Sequence, residues 1–186
     1  MGKATLEAIA EYHYDVVASL RLYVSEECPD FLARLNEEAP EFLARFLAEP
    51  TDKLRAELMK RLEERLEETD LRSAFVILTI VEASFRLDYK YRCEKKLKDD
   101  LSKVFRAIYK DRKTVVRLDE DIFEAWKQNH PDSQKLIGEL RGAFGLRDWF
   151  AHGRCWVPKL GRKYDFDYVY TLADVVFGNL SLHEID

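Results

Sequence analysis

The stretch LRSAFVILTIVEASFRLDYKYR, residues 71–92, is the most apolar helix-length segment of the chain. Its apolar side chains recur at the spacing of one helix face, so we predict a helix that lies at the centre of the core. Asp70, directly before it, is a candidate cap for its first turn. The longest candidate for a membrane span is the run AFVILTIV at 74–81, which is much shorter than the roughly 18 residues required.

Length and composition limit what can surround this helix. The chain has 186 residues, 47% of them hydrophobic, which is enough for one sizeable core with a modest appendage. Seven Gly and five Pro stand against abundant Leu, Ala, Glu, Lys and Arg, a balance that favours helices over a turn-rich β fold. We predict an all-α fold, in which a helical bundle at 71–186 follows an acidic N-terminal helical extension at 1–70.

Apolar periodicity and capping residues place the other helices. They are predicted at 3–24, from Thr51 through Leu66, at 94–110, at 119–129, from Asp132 or Ser133 to Gly153, and from Asp165 or Asp167 onward. The residues of the last helix expected to face the core are Val169, Leu172, Val175, Val176 and Phe177.

Charge is segregated along the chain. Residues 1–70 carry 9 basic and 17 acidic residues, a balance of -8. Residues 83–117 carry 12 and 5, a balance of +7, and residues 141–163 carry 6 and 1, a balance of +5. The two basic segments can attract a polyanion locally, although for 83–117 taken alone a solvated helix face explains the charge equally well.

A second stretch, LRDWFAHGRCW at 146–156, places Arg147 and His152 five residues apart near the predicted helix end at Gly153. Five residues turn a side chain by about 140° beyond a full turn, so the two groups converge only if Arg147 uses its length and His152 lies on a loosened last turn. Three residues between them are expected to anchor this turn in the core: Trp149, Phe150 and Ala151.

Glycine is concentrated around the same stretch. Five of the seven glycines are Gly138, Gly142, Gly145, Gly153 and Gly161. Glycine inside a helix costs roughly 1 kcal/mol relative to alanine, so the cluster indicates the close approach of another backbone or of a ligand.

An arginine and a histidine of this kind suit phosphodiester cleavage without a metal. A histidine side chain ordinarily exchanges its proton near neutral pH, so it can accept the proton of a ribose 2′-hydroxyl or protonate the leaving oxygen. An arginine offers a fixed fork of donors to phosphoryl oxygens as negative charge develops on them. The RNA hydroxyl is itself the nucleophile, so the protein need not supply one.

The run from Arg147 to His152 resembles the R-x4-6-H motif of the HEPN superfamily, including the polar residue, Asp148, directly after the arginine. The resemblance spans residues 71–180 and implies a helical bundle, commonly dimeric, with metal-independent endoribonuclease activity that leaves a 2′,3′-cyclic phosphate. It implies that Arg147 and His152 are the catalytic pair and that two such pairs share one cleft in a homodimer. Neither a cofactor nor a metal is expected.

One position departs from some relatives. In HEPN toxins silenced by a nucleotidyltransferase, the modified tyrosine lies two residues after the histidine, where this chain has Arg154. That form of regulation is therefore not expected, and a different antitoxin or regulatory protein is left open as a partner.

Two acidic residues are further candidates for the catalytic site. Carboxylates on the core helix of HEPN proteins often approach the catalytic arginine, so the resemblance makes Glu82 the candidate to orient Arg147 or His152. The alternative is that Glu82 only pairs with Arg86, four residues later on the same helix face. Asp148 is equally open to two interpretations, as a hydrogen-bonding partner of the active groups or as a surface residue.

Basic and aromatic residues alternate after the motif. The candidate substrate-binding residues are Arg154, Lys159, Arg162 and Lys163. Trp156 and Tyr164 lie among them, a composition suited to RNA phosphates and stacked bases. The alternatives are solvation for the basic residues and burial in the core or an interface for the two aromatic residues.

Three functions therefore compete. The first is a HEPN-type endoribonuclease acting on RNA, as a toxin or defence effector. The second is a module that binds RNA or a nucleotide without cutting it, and the third is an interaction protein that docks a partner through its acidic N-terminal helices. The intact Arg147 and His152 favour the first over the second, and the local basic charge disfavours the third. Acidic residues near the start and three widely separated cysteines favour a cytoplasmic protein with reduced thiols and no membrane contact.

Overall fold

All regular secondary structure in the described part of the chain is helical. The computed structural model describes residues 2–24, 41, 51–113, 115–157, 160 and 163–183, and no strand occurs among them. Six α-helices are described: α1 (Gly2–Val24), α2 (Thr51–Glu94), α3 (Asp100–Arg112), α4 (Glu124–Asn129), α5 (Gln134–Ala151) and α6 (Phe166–Asn179). A π-helical turn, Leu118–Phe123, precedes α4, and a 3-10 turn, Pro131–Ser133, precedes α5. The predicted all-α fold is confirmed.

The chain divides into two compact units. The larger consists of Met1–Ile9 and Ser73–Asp186, and the smaller of Ala10–Arg72. This division differs from the predicted one, 1–70 and 71–186, at residues 71–72, which belong to the smaller unit, and at the first nine residues. The first nine residues belong to the larger unit because Gly2 lies against the ring of Phe177 and Lys3 lies 3.7 Å from a carboxylate oxygen of Asp174.

The core of the larger unit is built on α2, as predicted. The buried face of this helix consists of Ala74, Ile77, Leu78, Val81 and Phe85, none of them more than 1% exposed. Their spacing of three and four residues forms one continuous apolar stripe. The ring of Phe85 meets Phe123 and Trp126 edge to face, with centroids 4.9 and 6.0 Å apart. This packing places the π-helical turn and α4 against α2.

The prediction that Asp70 begins a helix is wrong, because α2 passes through it without a break. No glycine or proline interrupts residues 51–94, and residues before Asp70 are mostly strong helix formers. The Thr69 hydroxyl donates to the Arg65 carbonyl within the helix. Within the smaller unit, Asp70 instead lies 3.4 Å from Nε2 of the buried His13.

The basic helix predicted at 94–110 begins later, at Asp100. The chain turns between α2 and α3, where Lys96 has a φ of 52°. The carboxylate of Asp99 then caps α3 by accepting a hydrogen bond from the Ser102 amide at 3.0 Å. A strong capping residue at this position sets the start of the helix more firmly than the apolar periodicity did.

The last helix begins as predicted, because Asp165 accepts a hydrogen bond from the Tyr168 amide at 3.1 Å. Val169, Leu172 and Val176 are buried. Val175, expected to face the core, is exposed, and Phe177 is only partly buried. Two adjacent residues of a helix point about 100° apart, so burial of Val176 turns Val175 towards the edge of the apolar face.

A buried ionic network joins α2, α3 and the C-terminal segment. Nε of Arg92 donates to both carboxylate oxygens of Asp88, at 2.8 and 2.9 Å, and neither side chain is more than 6% exposed. The two other nitrogens of the guanidinium reach Asp99 and the Ser181 carbonyl, each at 3.1 Å. The backbone amide of His183 donates to Asp88 at 2.9 Å. The network ties residues 181–183 to the core helix.

Candidate functional site

The turn that contains His152, the last residue of the R-x4-6-H motif, begins where α5 ends. His152 is the C-cap of the helix, and its amide donates to the Asp148 carbonyl at 3.0 Å. The amide of Gly153 then donates to Phe150 and that of Arg154 to Trp149, both at 3.1 Å. This pair of hydrogen bonds is the Schellman arrangement, which requires a left-handed residue directly after the cap. Gly153 supplies it with a φ of 74°, so the glycine stop predicted from the sequence is present.

Side chains close the same turn. The indole Nε1 of Trp149 donates to the Trp156 carbonyl at 2.6 Å. The thiol of Cys155 donates to the His152 carbonyl at 3.0 Å. Phe150 stacks on Phe75 with ring centroids 4.8 Å apart. These contacts fix the backbone on both sides of His152.

The three residues between the motif arginine and histidine are less buried than predicted. Trp149 and Phe150 are only partly buried, and Ala151 is exposed. The turn therefore lies at the edge of the core rather than within it. Hydrogen bonds and ring stacking supply part of the anchoring that burial was expected to supply.

Arg147 lies against Glu82 of the core helix. Its Nη2 forms an ion pair with Oε2 of Glu82, and its Nη1 donates to Asp148 at 2.7 Å. The other carboxylate oxygen of Glu82 accepts from Nε of Arg86 at 2.7 Å. Glu82 therefore bridges two arginines. The contact with Arg147 that the HEPN resemblance led us to expect is present, and the pairing with Arg86 exists beside it rather than alone. The guanidinium of Arg147 also lies 5.4 Å from the ring centroid of Phe144.

His152 is exposed and is not part of the cluster formed by Arg147, Glu82 and Asp148, which we call the Arg147 cluster. Its ring centroid lies 6.2 Å from that of Trp156. In the described part of the chain, its imidazole makes no hydrogen bond or ion pair with Arg147, Glu82 or Asp148. The structure thus brings together Arg147, Glu82 and Asp148, and it places His152 at the end of the same helix with its side chain open to solvent.

The candidate substrate-binding residues have different surroundings. Arg154 folds back over the ring of Phe150, with its guanidinium 4.2 Å from the centroid, and adopts a left-handed backbone with a φ of 58°. Lys163 is exposed, 3.9 Å from a carboxylate oxygen of Asp165. Lys159 and Arg162 lie outside the described residues. Of the two interleaved aromatic residues, Trp156 is half exposed and Tyr164 is buried.

Part of the glycine cluster is explained by Tyr164. A Cβ at position 142 would overlap the Tyr164 hydroxyl, and one at position 145 would lie 3.3 Å from Leu160. Gly138 has nothing within 4 Å of its missing Cβ, and Gly161 lies outside the described residues. The absence of a side chain at Gly142 lets Tyr164 pack against α5. The expectation of another backbone or a ligand is therefore wrong at Gly142, where a side chain makes the close approach.

A groove of about 500 Å³ adjoins the Arg147 cluster. It is lined by four arginines, Arg86, Arg117, Arg141 and Arg147, and by four acidic residues, Glu82, Asp119, Glu120 and Asp148. A second cavity, of about 840 Å³ and lined by residues such as Arg92, Trp126 and His130, holds none of the predicted site residues. We place the candidate site at the smaller groove because it contains Arg147 and Glu82.

Arg117 and Arg141 were not predicted from the sequence to be part of this site. Arg141 lies six residues before Arg147 on α5, and Arg117 precedes the π-helical turn. Hydrogen bonding to Glu120 raises the pKa of Arg117, and hydrogen bonds from Arg141 and then Gln128 lower the pKa of Glu124. The basic charge of 83–117 and 141–163 was the available signal, but periodicity does not show that the two segments meet.

The described residues contain neither a candidate metal site nor a candidate membrane span. No group of three or more His, Cys, Asp or Glu side chains there is arranged to hold a metal ion. No helix in the same residues has the length and apolar character to cross a membrane. Comparisons of the chain with protein-family models, curated proteins and solved structures found no match.

Proposed function

We propose that this protein is a metal-independent endoribonuclease of the HEPN type. The observation that carries the proposal is the placement of Arg147, which is held by Glu82 beside an open groove while His152 is exposed at the end of the same helix. The side chain of Arg147 is 23% exposed, so it is anchored and still reachable by a ligand.

The chemistry follows from these two side chains. His152 accepts the proton of the ribose 2′-hydroxyl, whose oxygen attacks the adjacent phosphorus while the bond from phosphorus to the 5′-oxygen breaks. Arg147 donates hydrogen bonds to the non-bridging oxygens, where negative charge develops. The leaving 5′-oxygen takes a proton from a protonated histidine, supplied by a second copy of the chain in the shared cleft that the HEPN resemblance implies. The products are a 2′,3′-cyclic phosphate and a 5′-hydroxyl.

The wider biological role is part of the same proposal. We place the protein in the cytoplasm as a homodimeric toxin or defence effector, acting on RNA and restrained by an antitoxin or another regulatory protein. The basic balance of residues 83–117 and 141–163 supports an anionic substrate.

The test is cleavage of end-labelled RNA in excess EDTA. Wild type is compared with Arg147→Ala and His152→Ala, and with His130→Ala as a control at an exposed histidine outside the motif. We expect cyclic-phosphate ends from wild type and from the control, and none from the two motif variants once circular dichroism shows equal folding. If all four proteins cut RNA equally, or if wild type cuts none, the proposal of an endoribonuclease with this active site is wrong.

A module that binds RNA without cutting it is the second candidate. The observation that favours it is the absence, among the described residues, of any hydrogen bond or ion pair between His152 and the Arg147 cluster. Binding of RNA by a wild-type protein that leaves the RNA intact in the same assay supports this candidate and excludes the first.

A further inference from the structure

Two arginines that the motif does not include line the groove beside Arg147. Arg117 lies just before the π-helical turn, and Arg141 lies on α5. Nη1 of Arg117 holds both carboxylate oxygens of Glu120, at 2.7 and 2.6 Å. Arg141 forms ion pairs with Asp119 and, at 3.0 Å, with Glu124. A guanidinium that holds a carboxylate also matches a phosphate, because both present oxygens to the same fork of donors.

The carboxylate side chains in the groove differ in how readily they can turn away from their arginine partners. The side chains of Asp119 and Glu120 are 65% and 55% exposed, whereas that of Glu82 is 17% exposed. An exposed ion pair contributes little to stability, because water screens both charges and competes for their hydrogen bonds. Exchanging Asp119 and Glu120 for another anion therefore costs little. Displacing Glu82 would leave a partly buried carboxylate without its partners, so Glu82 stays with Arg147.

Arg141 keeps two contacts when those two carboxylates turn away. Nη2 of Arg141 donates to the main-chain carbonyl of Asp119 at 3.0 Å. Its contact with Glu124 also does not depend on the Asp119 side chain. The groove can therefore lose two negative charges without losing Arg141.

The main chain of the π-helical turn is anchored separately. Ile122 and Phe123 are buried in the core. Asp121 is also buried, and its carboxylate accepts hydrogen bonds from the Arg117 amide at 2.8 Å and from Arg112 at 3.2 Å. These contacts fix the backbone next to the two exposed acidic side chains. Turns of this type occur frequently at functional sites.

We infer that Arg117 and Arg141 form a phosphate-binding subsite beside Arg147. In this subsite, backbone phosphates of single-stranded RNA replace the side-chain carboxylates of Asp119 and Glu120. The inference rests on the proposed function, since it takes the ligand to be the RNA whose cleaved phosphate is bound by Arg147. The four arginines and four acidic residues that line the groove balance in formal charge. When the carboxylates of Asp119 and Glu120 turn away, the groove presents a net positive charge to the RNA.

The test measures binding apart from cleavage. A fluorescent single-stranded RNA carrying 2′-O-methyl groups throughout cannot be cut by attack of its own hydroxyl, so its anisotropy reports affinity alone. The variants are Arg117→Ala and the double variant Asp119→Asn/Glu120→Gln. Arg72→Ala is the control, because Arg72 is an exposed arginine that also pairs with a glutamate but lies outside the groove.

We expect Arg117→Ala to weaken binding by roughly tenfold, which corresponds to one charge-assisted hydrogen bond. Its salt dependence is expected to fall by about 0.7 in the slope of log K against log salt, the value for one phosphate of a single strand. Asp119→Asn/Glu120→Gln is expected to bind several-fold more tightly than wild type, a gain that misfolding cannot produce. Arg72→Ala is expected to bind like wild type.

Different outcomes overturn different statements. Unchanged affinity in both groove variants overturns the subsite, even if wild type cuts ordinary RNA and the endoribonuclease stands. The expected changes in affinity together with no cleavage of ordinary RNA support the subsite and overturn the endoribonuclease. A wild type that does not bind the RNA overturns both.

Discussion

The guanidinium of Arg147 forms an ion pair with the carboxylate of Glu82, which lies 65 residues earlier on the core helix and also pairs with Arg86. One partly buried carboxylate thus holds two arginines at the edge of the groove. Because Glu82 sits one position after the fully buried Val81, its place is set by the packing of α2. The orientation of Arg147 therefore depends on the core of the larger unit.

Replacing Glu82 with glutamine is expected to slow RNA cleavage by roughly 10- to 100-fold, because small displacements of a positioned catalytic group cause losses of this size. It is also expected to destabilise the fold by about 1–3 kcal/mol, since two neighbouring arginines lose a charged partner. The measurements are single-turnover cleavage and urea unfolding. Glu57→Gln is the matched control, because Glu57 pairs with Arg61 at the same spacing on the same helix. Wild-type cleavage by Glu82→Gln would show that Glu82 does not position Arg147.

The glycines of α5 give a prediction about packing. Gly142→Ala is expected to lower the free energy of unfolding, because the new Cβ overlaps the buried Tyr164 hydroxyl and overpacking costs typically about 1–3 kcal/mol. Gly138→Ala meets no atom within 4 Å and is expected to stabilise the helix by up to about 1 kcal/mol. Urea unfolding of both variants provides the measurement.

The double variant Gly142→Ala/Tyr164→Phe separates overlap from other effects. Without the hydroxyl, the nearest ring atom of residue 164 is 3.3 Å from the new Cβ, so part of the lost stability is expected to return. Equal losses in the single and double variants would mean that the hydroxyl is not the cause.

The buried ion pair of α2 predicts strong coupling between its two members. Arg92→Leu leaves Asp88 fully buried without its cation, a change that costs about 3–5 kcal/mol. Asp88→Leu/Arg92→Leu is expected to lose less than the sum of the two single variants, because neither charge is then left unpaired. Thermal and urea unfolding of the four proteins give the coupling energy, and additive losses would contradict it.

The fold was more predictable from the sequence than the site was. The apolar stripe of 71–92 and the caps at Gly153 and Asp165 are local signals, and the structure contains all three features. Asp70 failed as a helix start because an equally strong helical sequence precedes it. Aspartate is a capping residue only where the chain before it is not already helical.

The site depends on contacts between distant segments, which periodicity does not report. The pairing of Glu82 with Arg147 was expected only through the HEPN resemblance, and Arg117 and Arg141 carried no motif at all. The glycine cluster was interpreted as a sign that another backbone or a ligand approaches closely, but at Gly142 the approaching group is the side chain of Tyr164. The presence of a glycine does not show whether the group that approaches it belongs to a ligand or to a neighbouring side chain.

Asp99 gives a prediction about acid stability. Burial opposes its ionisation, but hydrogen bonds from Ser102 and the charge of Arg92 outweigh burial and lower the pKa of Asp99 below its ordinary value of 3.8. In the folded protein Asp99 therefore stays ionised at a pH where the unfolded chain has already bound a proton. Its contribution to stability is complete above about pH 4 to 5 and is lost as the pH falls through the folded pKa.

Asp99→Asn isolates this contribution, because asparagine also caps helices but carries no charge to pair with Arg92. The free energy of urea unfolding is measured for both proteins between pH 3 and pH 7. We expect wild type to be the more stable protein at neutral pH, and the difference to shrink progressively below about pH 4, as the linkage relation requires for a carboxylate with a lowered pKa. A difference that stays constant across this range would show that the charge of Asp99 does not stabilise the folded state, and a difference that grows on acidification would require its pKa to be raised.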